Sequence, residues 1–244
     1  MTPTITFDFH NTLIECDEWF QIEIRTLVSD VLRYWQDLGE IEVPEAVIES
    51  ADAEYRKLRQ AIHGHGHELP ADRAVRTILE RIGFILPWDA IDIALDAIMR
   101  RAFVHAHPVD GAVATVQTLA AESVPLGVVS SAVHHDFLLW SLDRYGMLDS
   151  FNDVVTSASC GFYKSRPEIY WSALENLNVS PSRAVHIGDS LRFDVGGASG
   201  AGMRTAWYQR PGAKESPSPE LMPDLIVPSM GGIAPALVAL LASE

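Results

Sequence analysis

The side chains best suited to chemistry are scattered along the chain. Asp8 stands in the segment TFDFHNTL, Ser130 and Ser131 in PLGVVSSA, Lys164 in GFYKSRPEIY, and Asp189 and Asp194 in VHIGDSLRFD. A carboxylate such as Asp8 is a competent nucleophile toward phosphorus once the repulsion between two negative groups is neutralised. Lysine supplies that neutralisation as a compact point charge. Only three residues of the chain are lysines, Lys57, Lys164 and Lys214, so the position of each is informative. Asp8 and Asp189 together offer the hard oxygen ligands that suit Mg2+. Asp194 would orient them from an outer or water-mediated position. Thr12, Ser130 and Ser131 would donate hydroxyls to phosphoryl oxygens. Each residue also has a plainer reading: Asp8, Thr12 and Ser130 as turn or capping residues, Asp189 and Asp194 as helix caps, Lys164 as a solvated surface charge.

To act together, these residues need elements that end in one place. Short apolar runs at 4–9, 126–129, 154–155, 184–187, 205–208 and 225–227 read as buried strands. Helical spacing is found between and after them, at 113–121, 137–145, 169–177, from 195 onward and at 233–241. Strands alternating with helices imply a parallel sheet with right-handed crossovers, whose ligands bind beyond the carboxyl ends of the strands. Asp8, Ser130, Lys164 and Asp189 all fall at such ends. Residues 16–105 differ in character, with almost no strand signal. Phe20, Ile24, Leu27, Val28, Val31, Trp35 and Leu38 recur at helical intervals, and Gly39 provides a stop. Weaker helical patterns follow at 47–62, 72–82 and 89–102, punctuated by Pro44, Pro70 and Pro87. This block is an insertion between the first two strands of the sheet, so hinges are predicted near 14–17 and 103–108. Residues 211–223, rich in Pro, Ser and Glu, read as a surface loop.

Composition narrows the function classes. The 244 residues are 48% hydrophobic, enough to bury a substantial core. A net charge of −15 argues against a general nucleic-acid or anionic-membrane surface, while leaving room for a local anion site. The opening MTPTITFDFH lacks the basic and apolar regions of a signal peptide, and no apolar run approaches the roughly 18 residues of a membrane span. Cys16 and Cys160 have neither zinc-ligand spacing nor the density of a disulfide scaffold. A soluble, reduced, cytoplasmic protein is the expectation.

In this order and at these separations, the four segments resemble the motifs of the haloacid dehalogenase superfamily, the aspartate-nucleophile hydrolases. The resemblance covers essentially the whole chain. It implies an α/β fold, with a Rossmann-like parallel sheet core at 1–15 and 106–244 and an inserted all-helical cap domain at 16–105. It also implies a Mg2+-dependent hydrolase, a phosphatase of a small phosphorylated metabolite that forms an aspartyl phosphate on Asp8. Lys164 would stand beside that nucleophile. The metal would be held by Asp8, Asp189 and the backbone carbonyl of His10, with Asp194 behind them. A cap over the cleft favours a small-molecule partner, so neither nucleic acid nor membrane is expected; oligomeric state is left open.

One departure matters. The family's phosphatases carry a second aspartate two residues after the nucleophile, which protonates the leaving group and later activates water. This chain has His10 there, and Asn11 replaces the usual glycine. Histidine can do acid and base work near neutrality, and asparagine tolerates left-handed backbone. A nearby dication would depress the protonated imidazole. The same nucleophile could instead open a carbon–halogen or carbon–phosphorus bond, or the chain could be a non-catalytic phosphate-binding regulator. The acidic ending from Gly188 to Asp194 favours the magnesium-dependent reaction, and nothing marks Lys57 for the imine chemistry of a phosphonate hydrolase. His63, His65 and His67 alternate with glycines. In an extended segment they could converge on a transition metal; otherwise they touch substrate or belong to a solvated loop. His105 and His107 fall at a predicted hinge, and His134 with His135 suit capping. Arg56, Arg59 and Arg73 are expected on solvated helix faces.

Overall fold

A computed structural model describes residues 2–242. The chain opens with β1 (Thr4–Phe7), and a tight turn leads to the two-residue β2 (Ile14–Glu15). Helices α1 (Asp17–Gln21) and α2 (Leu27–Asp37) follow, joined by a π-helical turn at Ile22–Thr26. Then come α3 (Glu45–His65), α4 (Ala71–Arg81) and α5 (Trp88–Phe103). Pro44, Pro70 and Pro87 are the residues that immediately precede α3, α4 and α5. Proline suits that place because its fixed φ and missing N–H disfavour continuation of a preceding helix but not the start of a new one.

The chain re-enters the core through β3 (His107–Pro108). Strands β2 and β3 pair antiparallel, Ile14 opposite Pro108 and Glu15 opposite His107, so the two predicted hinges are tied into one small ladder. Past β3 the alternation is regular: α6 (Ala112–Ala121), β4 (Leu126–Ser130), α7 (His135–Arg144), β5 (Asp153–Thr156), α8 (Ser157–Cys160) and α9 (Glu168–Asn176). It continues with β6 (Ala184–Gly188), a π-helical turn at Leu191–Val195, α10 (Gly196–Gly200), β7 (Arg204–Tyr208), β8 (Leu225–Val227) and α11 (Ala234–Ala242).

The sheet is parallel throughout, in the order β5-β4-β1-β6-β7-β8. Both its faces are covered. Val128 joins the core with Leu119 and Leu237, while its neighbour Val129 joins Ile169, Tyr170 and Ala198 on the opposite face. This is the period-two alternation of a strand between two helical layers. Phe7 pairs with Val128 on one side and Ile187 on the other, so the carboxyl ends of β1, β4 and β6 lie abreast. The order of connection reverses at β1, which is where ligands bind in such sheets.

The inserted helices bury Leu27, Val31, Leu32, Tyr55, Ile78 and Met99 among themselves, continuous with the sheet's own core. Full burial of such a side chain contributes roughly 1.5–3 kcal/mol. The structure departs from the sequence reading at 63–67. Helix α3 runs on through His65 and stops at Gly66, whose φ of +76° is left-handed. The three histidines therefore do not form an extended strand.

Candidate active site

Asp8 follows β1 directly, and its backbone N–H donates to Ile187 O at 2.8 Å, fixing it beside the end of β6. Lys164 approaches from the segment before α9. Its Nζ donates to Asp8 Oδ1 at 2.5 Å and to Asp194 Oδ1 at 2.6 Å, and all three residues are buried. The Lys164 backbone N–H donates to Ser131 Oγ at 3.0 Å, which ties the lysine to the end of β4. Asp194 lies in the π-helical turn, where its Oδ2 accepts from the Ser190 N–H at 2.8 Å. Only glycine fits at 188, because a Cβ there would come within 2.2 Å of the Asp194 side chain.

The electrostatics are uneven. Burial pushes the Asp8 carboxyl up to about 6 against the opposing pull of Lys164. Asp189 is pushed up to about 8, by burial and then by the negative charges of Asp8 and Asp194. Burial would raise Asp194 as well, but the Lys164 ammonium and the His186 hydrogen bond hold it well below the usual carboxylate range. One oxygen from each of Asp8, Asp189 and Asp194 falls within a 4.8 Å group. Asp189's cationic neighbour is Arg210, whose Nε is 3.3 Å away and whose side chain is half exposed. Three crowded carboxyls with hard oxygen donors and too little positive charge fit a divalent cation of the magnesium type.

These groups form one wall of a cavity of about 400 Å3. His10 is among its lining residues, with the ring stacked on Phe20, centroids 4.7 Å apart. Burial and the nearby Arg210 charge push the imidazole down to about 4, so it is neutral near pH 7. The opposite wall comes from the inserted helices: Trp19, Phe20, Glu23 and Ile24, with Arg59 and His63 of α3.

A family model described as haloacid dehalogenase-like hydrolase matches residues 2–202. The chain belongs to the haloacid dehalogenase-like hydrolases. A glyceraldehyde 3-phosphate phosphatase of Methanopyrus kandleri is 29% identical to it over 215 residues, covering 86% of this chain and 85% of the relative. Among solved structures, a HAD phosphatase from Thermococcus onnurineus superposes with a TM-score of 0.63 at 21% identity, covering 100% of this hydrolase and 99% of that chain. A 2-haloacid dehalogenase from Pseudomonas syringae pv. tomato superposes with a TM-score of 0.71 at 24% identity, covering 99% and 100%. Two such neighbours share this fold under names for different chemistries, so the fold alone does not choose between phosphate and halide.

The hydrolase brings Asp8, His10, Ser130, Ser131, Lys164, Asp189 and Asp194 to one cavity. Thr12 is placed differently. It is fully buried, is not among the lining residues, and its Oγ1 donates to Asp8 Oδ2 at 3.2 Å, so it orients the aspartate. Asn11 takes φ +63°, the left-handed turn its side chain tolerates. Of the three alternating histidines, His63 lines the cavity, while His65 and His67 are exposed, their rings tilted with centroids 5.7 Å apart and His67 also beside Phe162. His134 caps α7 by accepting from the Phe137 N–H at 3.2 Å. Arg56 and Arg73 are exposed as expected, but Arg59 is not. It is only 3% exposed, and its Nη1 donates to Glu68 Oε1 at 2.6 Å. The acidic residue that neutralises it is nine positions away, too far along the chain for helix periodicity to reveal.

Sequence reading also missed Glu23, His186 and Arg210. His186 had a usable signal, a polar residue inside the apolar run AVHIG. Its Nε2 lies 3.2 Å from Asp194 Oδ1, and its Nδ1 lies 2.9 Å from Thr6 Oγ1. Glu23 interrupts an apolar helix face between Phe20 and Leu27, which is a comparable signal. Arg210 carried none, because it sits in a loop.

Proposed function

We propose that this hydrolase is a magnesium-dependent phosphatase of a small phosphorylated metabolite, acting through an aspartyl phosphate on Asp8. The observation that carries this reading is the crowding of Asp8, Asp189 and Asp194 around Lys164. A dehalogenase substrate brings no dianionic group to be neutralised, so three adjacent carboxyls would raise its barrier without return. Asp8, Asp189 and the His10 carbonyl would hold Mg2+, with Asp194 behind them. When bound, the ion supplies positive charge that polarises the phosphoryl oxygens.

An Asp8 carboxylate oxygen forms the bond to phosphorus as the ester P–O bond breaks, and the departing oxygen takes a proton from water to leave as the alcohol. Lys164 holds that carboxylate in place and offsets its charge. Ser131, which accepts from the Lys164 N–H, and Ser130 beside it line the cavity and offer hydroxyls to the phosphoryl oxygens. Water then attacks phosphorus, releasing inorganic phosphate and restoring Asp8. The His10 ring, two residues from the nucleophile and on the same cavity, contacts the departing oxygen or the incoming water. Residues 16–105 act as a cap domain over the core of 1–15 and 106–244, excluding bulk water when closed. The relative's name makes triose phosphates the first esters to try. The two free cysteines, Cys16 buried and Cys160 half-buried, accord with a cytoplasmic setting.

A phosphomonoester panel assayed with Mg2+ and with chelator, beside Asp8→Asn and His10→Ala, tests this reading. Phosphate release should require Mg2+ and fall at least about 1,000-fold in Asp8→Asn. His10→Ala should slow turnover and change its pH profile. Full activity in Asp8→Asn would exclude the covalent route, and halide release from 2-halo acids in chelator would replace phosphatase with dehalogenase.

A further inference from the structure

His186 is bonded to a residue that lines the cavity but does not line it itself. It lies in the middle of β6 and is fully buried. Its Nε2 is 3.2 Å from Asp194 Oδ1, and its Nδ1 is 2.9 Å from the Oγ1 of Thr6, its partner in the register of β1 and β6. The Tyr170 ring packs against it at a steep angle, centroids 5.1 Å apart. A parallel strand covered on both faces is ordinarily an apolar run, and the rest of β6 keeps to that, with Ala184, Val185, Ile187 and Gly188. An imidazole in that run is not needed to fill space.

The partners decide which nitrogen carries the proton. Lys164 Nζ donates to Asp194 Oδ1 at 2.6 Å and holds that carboxyl ionised, so Asp194 only accepts. The proton between ring and carboxylate therefore belongs to His186 Nε2. Burial, aided by the Lys164 charge, pushes the imidazole down to about 4 against the Asp194 hydrogen bond, so the ring is neutral near pH 7 and its Nδ1 is bare. Thr6 Oγ1 donates to that bare nitrogen, and the bond at the far side of the ring fixes the tautomer and the ring's orientation.

Asp194 is thereby held at both oxygens. Oδ1 accepts from His186 and from Lys164, and Oδ2 accepts from the Ser190 N–H at 2.8 Å. Lys164 reaches Asp8 and Asp194 from the same Nζ, so the direction of its ammonium depends on where the Asp194 carboxylate stands. Without His186, Oδ1 would keep only the lysine, and carboxylate and ammonium could swing together.

We infer, on the aspartyl-phosphate reading above, that His186 is a positioning residue: its Nε2–H bond to Asp194, with Thr6 locking the ring, sets the direction in which Lys164 meets Asp8. It touches no substrate. Its contribution is therefore to turnover and not to substrate binding, as for other groups that orient a reactive residue from behind.

His186→Gln keeps a side-chain N–H at comparable reach, and His186→Leu keeps an apolar body without one. With Mg2+ and a phosphomonoester that the unaltered protein hydrolyses, kcat should fall about tenfold or more in His186→Leu while KM changes less than about twofold, and His186→Gln should recover most of the loss. A residue that only fills space predicts the reverse order, because leucine packs among apolar neighbours better than an amide does. Turnover in His186→Leu equal to or above that of His186→Gln overturns the inference, and so does a loss carried by KM. The second measurement is nitrogen NMR of the imidazole in the unaltered protein in chelator, with His186 assigned through its backbone. A proton on Nε2 supports the inference, and a bare Nε2 overturns it. That spectrum requires neither a folded variant nor turnover, so it decides alone if the variants do not fold or no ester is hydrolysed; absence of hydrolysis counts against the phosphatase reading only.

Discussion

At the strand ends Lys164 donates to both Asp8 and Asp194, and Asp194 also takes a bond from Ser190 and faces His186. Across the cavity, Glu23, Arg59 and His63 each keep one buried polar atom unpaired. Both walls use a π-helical turn to present a carboxyl group, Ile22–Thr26 for Glu23 and Leu191–Val195 for Asp194. Such turns widen the helix locally and recur at functional sites. The difference lies in who completes the hydrogen bonding. The sheet side binds its own charges to one another, as a wall must if it stabilises charge without rearranging during reaction. The helical side keeps buried polar atoms without partners beside a Glu23 carboxyl that burial makes hard to ionise.

Deleting the cation on each side should break this symmetry of burial. Lys164→Met leaves Asp8 and Asp194 buried with no ammonium between them, and removing one member of a buried pair typically costs about 3–5 kcal/mol. Arg59→Met also strands a buried carboxyl, but Glu68 keeps its bonds from Ser157 Oγ and the Leu69 N–H. Denaturant midpoints measured at pH 7 in chelator should therefore fall further for Lys164→Met than for Arg59→Met. Adding Mg2+ should restore part of the loss in Lys164→Met, because added positive charge near Asp8 relieves the same repulsion. Equal losses, unaffected by Mg2+, would mean that the two walls are charged alike.

The two walls also differed in how much of them could be read from sequence. Asp8, Ser130 and Asp189 each follow an apolar run and Lys164 precedes the helix after the third, and a parallel sheet brings such ends together, whereas Asp194 was expected there from the resemblance. The sheet itself was legible for the same reason: 225–227 and 184–187 were bounded to within a residue of β8 and β6. On the helical side, what matters is which way a side chain points and how deep the neighbouring helix lies. Arg59 reads as one of several arginines on an amphipathic helix until α3 is packed against the core and Glu68 reaches it. Thr12 shows the opposite limit: its spacing from Asp8 is legible, but that the tight turn after β1 points its hydroxyl back at the aspartate is not. The end of α3 at His65 was lost because two glycines nearby resemble a loop, and only Gly66 terminates the helix.

Acidity offers a finer probe of the helical wall. Glu23 binds its proton more tightly in the folded protein, at about 8 against an ordinary 4.5, because burial penalises the carboxylate more than Arg59 favours it. Glu68 on the same side and Asp8 across the cavity push the same way. The stability this contributes is fully present below about pH 4.5, where the unfolded chain is protonated too, and is lost as pH rises through about 8. The slope is on the order of 1 kcal/mol per pH unit over that window. Glu23→Gln cannot titrate, so between pH 5 and pH 9 its midpoint should gain on the unaltered protein. Parallel curves would show that Glu23 is ionised in the fold, and the wall would then carry a charge able to attract a cationic substrate group.

The smallest effect belongs to the lysine that lies off both walls. Lys57 is on the same helix as Arg59, but its side chain is 69% exposed and its Nζ donates to Glu54 Oε1 at 2.7 Å, on the outer face of α3. Exposed pairs gain little Coulomb energy in water and lose side-chain freedom on forming. Lys57→Ala should therefore leave the denaturant midpoint and phosphatase turnover indistinguishable from those of the unaltered protein. The result has weight because imine chemistry on a phosphonate would need an amine from the inserted helices, and Lys57 is the lysine that segment 16–105 contains. A sharp fall in turnover for Lys57→Ala would mean that α3 rolls to bring its outer face to the cavity. Arg59 and His63 would then leave the wall together, since one rigid helix carries all three.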